Sequence, residues 1–462
     1  MEPPSLAALS LEAPPWVDLP AEALQRVFEL SASPAAVAQA ACACRAWRDA
    51  AADDATWRAL YHATWGALAA GSPAATATWR ARCAGRQSLP ATLQRALRDC
   101  ASPLLRGDAL QRCVALEAAH PGAALRELQS CLADAAHARA ADRALSELAL
   151  ATLHRVGSAP PDAGSEAATL LDAACAVALL IDTSADVAAT RAAVSRLGHA
   201  ARQRLQPLDG EPLLARLDAL NAFLFGAQSA GDTAGSLLDA DSPLPGPEAD
   251  AGCGLGGQLD AYYAARNSSL TEMLRTRRGL PIILAVLHVV VADAAGVPLR
   301  PCGIPQQFMT RTAEDAPGEP QFVDVYGGGL RRSRDEMLRF IGAMGIVPHE
   351  NLLAPTAPRE VAGRMIRNLL HLTDAGASAG LRPTALLHLH TASLSLLPVT
   401  LDMRLQRFSH ACDALDVHLM QQDFDALSAG DLSTLQPSHR RHLLLAAKEQ
   451  LDTAYEKAAA AA

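Results

Sequence analysis

Few residues in this 462-residue sequence have types and spacing suited to chemistry. Cys302 stands within a run of strand-forming residues, and Asp324 falls in another, Gln321–Tyr326. Two histidine pairs, His388-x-His390 and His439-x-x-His442, lie in helical patterns. A zinc site needs about four converging nitrogen or sulfur ligands, and no third or fourth ligand accompanies either pair, so both read as solvated helix faces. A lone cysteine in such a setting reads as a small packed hydrophobe. The ten cysteines include no CxxC, the closest pair being Cys42-x-Cys44. Scattered thiols of this kind predict a reducing cytoplasmic or nuclear setting. No metal and no cofactor is expected.

The elements that must position these residues are mostly helical. Half of the residues are hydrophobic but only 4% are aromatic, and Ala and Leu, two of the best helix formers, dominate. The length predicts two or three domains. Residues 16–66 read as a Trp-punctuated helical segment and 67–225 as Ala/Leu/Arg-rich helices. Residues 227–258 lack periodicity and are rich in Gly, Pro, Asp and Ser, which predicts a disordered insertion. Ser269-Leu-Thr-Glu272 has capping-box spacing. Gly279 fits a left-handed stop, and Pro281 the first position of a new helix. That helix, ending at Gly296, is apolar almost all round, as for a buried element. Strands are predicted over Val297–Ile304, Gln307–Arg311 and Gln321–Tyr326. Helices return over Pro358–Leu372, Thr384–Leu397, Leu401–Met420 and Ser438–Lys457.

A formal net charge of −9, with no dense basic cluster, speaks against a nucleic-acid partner. The longest apolar run, Pro281 to Gly296, is too short to span a bilayer and carries His288 and Asp293, so no membrane role is expected. The first twenty residues contain Glu2, Glu12 and Asp18 and no Lys or Arg, unlike a targeting peptide.

Leu19-Pro20-x-Glu22-x-Leu24-x-x-Val27-Phe28-x-Leu30 places Leu24, Val27 and Phe28 on one helical stripe. Ser33-Pro34 repeats a cap-then-Pro signal, and Cys44-Arg45-x-Trp47-Arg48 and Trp57-Arg58 supply large apolar bodies. This pattern resembles the F-box, with Ala43 in place of the usual Val and Thr56 in place of the usual Leu. The resemblance implies a three-helix domain that docks on the Skp adaptor of a cullin-based ubiquitin ligase. A unit of about fifty residues cannot hide every one of these side chains within itself. Leu19, Pro20, Leu24, Val27 and Phe28 are therefore the expected adaptor contact, and Trp47 and Trp57 the expected internal packing.

Further along, Leu220-Asn221-x-Phe223-Leu224-Phe225, Tyr262-Tyr263 with Asn267-Ser268, and Arg277-Arg278-Gly279-Leu280-Pro281-Ile282 follow one another. Then come Gly303-x-Pro305-x-x-Phe308-x-x-Arg311, Val323-Asp324-x-Tyr326-x-Gly328-Gly329 and Arg364-Met365-Ile366-Arg367-Asn368-Leu369. These motifs, in this order, resemble the SirB-type transglutaminase-like family over about residues 145–375. Active transglutaminase-like enzymes need a thiolate, an imidazole and an orienting carboxylate. The resemblance puts the thiolate position on Pro281 and the imidazole position on Gln307; only Asp324 matches the third. Neither Pro nor an amide can serve as nucleophile or base, so a non-catalytic domain is implied.

The expected architecture is mainly α. It comprises an N-terminal three-helix F-box (16–66), a helical linker (67–144), an α+β transglutaminase-like domain with a small antiparallel sheet (145–357, insertion 227–258) and a helical tail (358–462). The former cleft, lined by Gln307, Phe308, Arg311, Asp324 and Tyr326, is expected to hold an extended peptide of an unknown substrate protein. The implied function is substrate recognition in a Skp-cullin-F-box ligase. The alternatives are an adaptor-tethered hydrolase or acyltransferase with an atypical nucleophile, and a helical interaction scaffold.

Overall fold

Side chains without a branch at Cβ lose little freedom in a helix, and among the described residues the Ala/Leu-rich stretches are mostly helical. The computed structural model describes residues 27, 34, 37–38, 45–65, 78–100, 105–131, 138–159, 165–226, 236–241, 244–246, 252–258, 264–374, 384–431 and 435–460. The chain divides into two compact units, residues 1–96 with 112–127, and residues 97–111 with 128–462.

The first unit contains α1 (Arg45–Ala50), α2 (Asp54–Trp65), most of α3 (Trp79–Cys100), the end of α4 (Arg106–Ala119) and the start of α5 (Ala123–Cys131). Its core gathers Val37, Ala50, Ala51, Trp57, Leu60, Tyr61 and Cys83. Trp57 is buried and its indole Nε1 donates to Ala51 O at 2.6 Å, so the large ring brings its own polar group a partner. Trp65 and Trp79 both stack edge-on against Tyr61. The side chain of Trp47 lies outside the described residues.

In the second unit, α6 (Ala138–Ser158), α7 (Glu166–Ile181), α8 (Val187–Leu205) and α9 (Leu213–Phe225) precede a two-stranded parallel ladder of β1 (Gly256–Gly257) and β2 (Arg278–Gly279). Between those strands runs α10 (Leu270–Thr276), and after them α11 (Pro281–Ala294). An antiparallel sheet follows in the order β3 (Leu299–Ile304), β4 (Gln307–Thr312), β5 (Gln321–Asp324) and β6 (Leu330–Ser333). The chain then closes with α12 (Arg334–Ala343), α13 (Pro358–Asp374), α14 (Ala385–Leu396), α15 (Leu401–Asp413), α16 (Val417–Ala426) and α17 (Pro437–Ala460). This is a mainly α chain with one small antiparallel sheet.

Helix α11 is the centre of the second unit. Eleven of its residues, Pro281 to Val289 with Val291 and Ala292, are buried. It packs on α7 and α8 on one side and on β3 and β4 on the other. The opposite face of the sheet is covered by α12, through a core of Cys302, Ile304, Met309, Phe322, Met337, Ile341 and Leu353. Among the described residues no helix is long and apolar enough to cross a membrane.

Several boundaries follow the expected chemistry. Ser269 accepts the Glu272 N–H at the start of α10, Pro281 opens α11, and Gly296 at φ 72° ends it. Others differ. The left-handed stop of α10 is Arg277 at φ 59°, not Gly279, which instead extends into β2. The helix expected over 401–420 is two, because Leu415 turns at φ 50° and Asp416 caps α16 by accepting the Leu419 N–H. Strand β6 was not expected at all.

The described parts of the segment 227–258 also correct its reading as disordered. Leu237, Cys253 and Leu255 are buried. Cys253 N and Leu255 N donate to Phe223 O and Leu224 O at 2.7 and 3.0 Å, and Gly254 N to Gly226 O at 3.0 Å. These bonds satisfy carbonyls left open at the C-terminus of α9. Three apolar side chains, Leu237 and the neighbouring Cys253 and Leu255, supply the anchoring, which an average over composition does not register. The rest of that segment lies outside the described residues.

Candidate functional site

The site builds outward from the sheet. In β4, Thr310 Oγ1 lies 2.9 Å from His288 Nδ1 of α11. Side chains alternate along a strand, and the β3–β4 register is continuous from Leu299↔Thr312 to Ile304↔Gln307. Phe308, Thr310 and Thr312 therefore face α11, while Gln307, Met309 and Arg311 face α12. Arg311 pairs across from Phe322 in β5, so Phe322 and Asp324 also face α12. The base and carboxylate positions of the family pattern thus point to the side of the sheet opposite the helix that begins at Pro281.

Each expected cleft residue has a definite place. Phe308 is buried beneath the Arg364 guanidinium, which lies 5.2 Å above its ring and donates to Ile304 O and Gln307 O at 2.9 Å each. Arg311 is buried too; its Nη1 donates to Leu353 O at 2.5 Å and its Nε to Thr312 O at 3.2 Å. Among the described residues Phe308 and Arg311 are thus turned by the pleat into packed layers rather than toward open solvent, which corrects their expected place in a cleft. Asp324 accepts the Gly327 N–H at 2.9 Å and lies 3.5 Å from Arg332 Nη2. The Tyr326 hydroxyl donates to Gln258 O at 2.6 Å. Gln307 is half-buried beside the β3–β4 turn, where Gln306 adopts φ 63°.

Cys302 is buried on the α12 face, and burial pushes its thiol up to about 11. A thiol so far above neutrality carries negligible thiolate and is inert. His388 and His390 are buried rather than solvated, with His390 stacked on His410 at 5.2 Å between ring centroids. His439 and His442 are exposed. Among the described residues no group of three or more His, Cys, Asp or Glu side chains is arranged to hold a metal.

One open cleft beside the sheet was not legible in the sequence. It has a volume of about 510 Å³ and is lined by Asp218 and Asn221 of α9, Gln321 of β5, Gly329 to Arg331 with Ser333, and Glu336 of α12. Arg331 is held by Asp218 at 3.1 Å between Nε and Oδ1. Ser333 and Glu336 form a reciprocal capping box, and the hydrogen bonds from Ser333 hold the Glu336 carboxyl below its ordinary range. Asn221 Nδ2 donates to Gly329 O at 3.1 Å, which orients the amide and leaves its buried Oδ1 without a hydrogen bond among the described residues. Gly329 at φ 82° permits this approach, since a Cβ there would lie 2.6 Å from Phe225 Cδ2. The one signal in the sequence was Asn221 itself, a polar residue on the apolar face of Leu220, Phe223 and Leu224.

Of the five expected adaptor contacts, Val27 alone is described, and it is 43% exposed. Leu19, Pro20, Leu24 and Phe28 lie outside the described residues.

An F-box-like family model matches residues 16–63. A model described as the transglutaminase-like superfamily matches residues 250–367, from the approach to β1 into α13. The UPF0162 protein of Xylella fastidiosa (strain 9a5c) is 33% identical over 122 residues, 25% of this chain and 43% of that protein. F-box only protein 21 of Mus musculus is 31% identical over 123 residues, 25% of this chain and 19% of that protein. Its Homo sapiens counterpart is 30% identical over the same length. The chain thus spans less than half the length of these curated relatives. No solved structure matches it. One polypeptide here carries both an F-box-like match and a transglutaminase-like match.

Proposed function

We propose that this chain is the substrate-recognition subunit of a Skp-cullin-F-box ubiquitin ligase. Its F-box-like segment docks on the Skp adaptor through Leu19, Pro20, Leu24, Val27 and Phe28. The transglutaminase-like segment selects the protein to be ubiquitinated and performs no chemistry of its own. The observation that carries this reading is the presence, in one chain, of an F-box-like match and a transglutaminase-like match; in the second, the resemblance puts Pro281 and Gln307 where a nucleophile and a base would stand.

Three features support it. An exposed Val27 is available to a partner, and covering such a side chain contributes roughly 1.5–3 kcal/mol before ordering costs. Gln307 and Asp324 face away from α11, which begins at Pro281. Cys302, on the sheet, is buried and its thiol is held protonated. The 510 Å³ cleft beside β6, an edge strand, then takes the place of the expected groove as the surface for a substrate peptide. The eight cysteines described as free thiols fit a cytoplasmic or nuclear setting.

Co-precipitation of the full chain with the Skp adaptor tests the docking. The Leu19→Ala/Pro20→Ala double variant is expected to lose most adaptor recovery, and undiminished recovery overturns the assignment. Affinity purification with mass spectrometry compares the wild-type chain with the same double variant, and proteins enriched only when turnover is blocked are the expected substrates.

A further inference from the structure

The helical tail carries a surface that the proposed function leaves unused. Helix α17 presents two faces. Ala447, Leu451, Ala454 and Ala458 are buried against α15 and α16. On a neighbouring face, Leu444 and Leu445 meet Phe424 of α16 to form a groove of about 460 Å³ that is almost wholly apolar. Leu445 is 60% exposed, so the groove floor is left in water.

Its rim is basic. Arg440, Arg441 and Lys448 line it, and no Asp or Glu does. The stretch 437–448 contains these three cations and no acidic residue, whereas the chain as a whole carries −9. Arg440 Nη2 donates to Ser428 O at 3.1 Å, and Lys448 reaches both Asp452 at 2.7 Å and the Phe424 ring at 5.9 Å. Arg441 makes no hydrogen bond or ion pair among the described residues. From the helix start at Pro437 to Lys448 the groove runs about three helical turns, roughly 16 Å.

We propose that this groove binds an acidic amphipathic helix of a partner protein. Apolar side chains of that helix, spaced i, i+3 or i+4 and i+7, fill the trough of Phe424, Leu444 and Leu445. Its flanking carboxylates meet Arg440, Arg441 and Lys448. An apolar floor supplies contact area for a helix face, and a one-signed rim selects the sign of the partner and speeds encounter. The site is independent of the F-box-like segment, so it stands or falls separately from adaptor binding.

The test uses the full chain and fluorescent helical peptides of about sixteen residues, long enough to cover the groove. One peptide carries Leu or Phe anchors at the stated spacing with Glu on both flanks. A second has Lys for every Glu, and a third has Ala for every anchor. Fluorescence anisotropy is expected to show saturable binding of the Glu-flanked peptide, weaker by about tenfold or more for either control. Leu445→Asp and Arg441→Glu, both at exposed positions, are expected to weaken it by at least about tenfold while the far-UV circular dichroism stays unchanged. Rising salt weakens binding by the wild type more than by Arg441→Glu.

Equal binding of the Lys-flanked peptide overturns the proposal. So does an unchanged affinity in both variants, or the lack of saturable binding up to about 1 mM, the weak end of specific recognition. Sedimentation velocity supplies the remaining arm: a wild-type dimer that Leu445→Asp converts to monomer makes a second copy the occupant, and overturns it as well.

Discussion

His288 Nδ1 and Thr310 Oγ1 lie 2.9 Å apart in the buried layer between α11 and the sheet. The pair ties a largely apolar helix to β4 through a polar contact. His288 is fully buried, and its Nε2 takes no hydrogen bond among the described residues.

Burial lowers the His288 imidazole to about 3 from an ordinary 6.5. Above pH 6.5 the ring is neutral whether the chain is folded or not, and it costs nothing. Between 6.5 and 3 the unfolded chain binds a proton that the folded chain refuses, so stability falls as pH falls. The slope approaches about 1.4 kcal/mol per pH unit, and the limit is on the order of 4–5 kcal/mol. Denaturant titrations at pH 7.5 and 4.5 should show this loss in the wild type. His288→Asn, which places an amide oxygen near the Nδ1 position, should be less stable at pH 7.5 yet lose much less on acidification. An equal loss in the variant would assign the acid sensitivity elsewhere.

Glu147 of α6 has the opposite dependence. Burial first, and then the nearby Asp416 carboxylate, raise it to about 7, against the pull of Arg407. Here the folded chain keeps a proton that the unfolded chain has released above about 4.5. Stability therefore falls as pH rises from about 4.5 to 7, by at most about 3 kcal/mol, and by less to the extent that solvent reaches the half-buried carboxyl. Glu147→Gln is expected to raise the melting temperature at pH 8 and leave it nearly unchanged at pH 4.5. A variant that melts no higher than wild type at pH 8 would show that the carboxylate ionises without strain.

Much of this architecture was legible where a residue's own chemistry fixes its local geometry. Ser269 with Glu272, Pro281 and Gly296 mark helix ends by capping and by backbone restriction, and those ends lie where expected. The reading ran out where tertiary contacts decide. Arg277 and Leu415 hold left-handed conformations that ordinarily favour glycine, so nothing in their identity announces a turn. Segment 252–258 is ordered by the open carbonyls of α9, thirty residues away from any local signal of its own. The site suffered most from register. A strand residue's face changes with each step along the chain, so Phe308 and Arg311 went into packed layers. The real cleft is made by Asn221 and Gly329, 108 positions apart.

Gly329 tests how that cleft is sealed. Its φ of 82° and the 2.6 Å approach of Phe225 Cδ2 both oppose a side chain. Gly328 has a similar φ of 80° but open space around the Cβ position. Gly328→Ala should cost about 1 kcal/mol, the conformational part alone. Gly329→Ala should cost about 2–4 kcal/mol, because overpacking adds to it. Equal shifts in thermal unfolding would mean that Phe225 moves aside freely and that the floor of the cleft is soft.

Thiol reactivity bears on the absence of a nucleophile in the proposed function. Burial raises Cys175 and Cys302 to about 11 and Cys253 to about 12. Cys412 is also raised to about 11, by burial and by Asp413, but it is only half-buried. Alkylation requires thiolate and access together. At pH 8 a thiol raised to about 11 is about one part in a thousand ionised, so access becomes the discriminating term among these four. Iodoacetamide labelling of the native chain, mapped by peptide mass spectrometry, should therefore modify Cys412 well before Cys175, Cys253 or Cys302. All four should react alike once the chain is denatured. Rapid stoichiometric labelling of Cys302 in the native chain would require a thiolate that the buried α12 face does not support, and would restore the case for a catalytic domain.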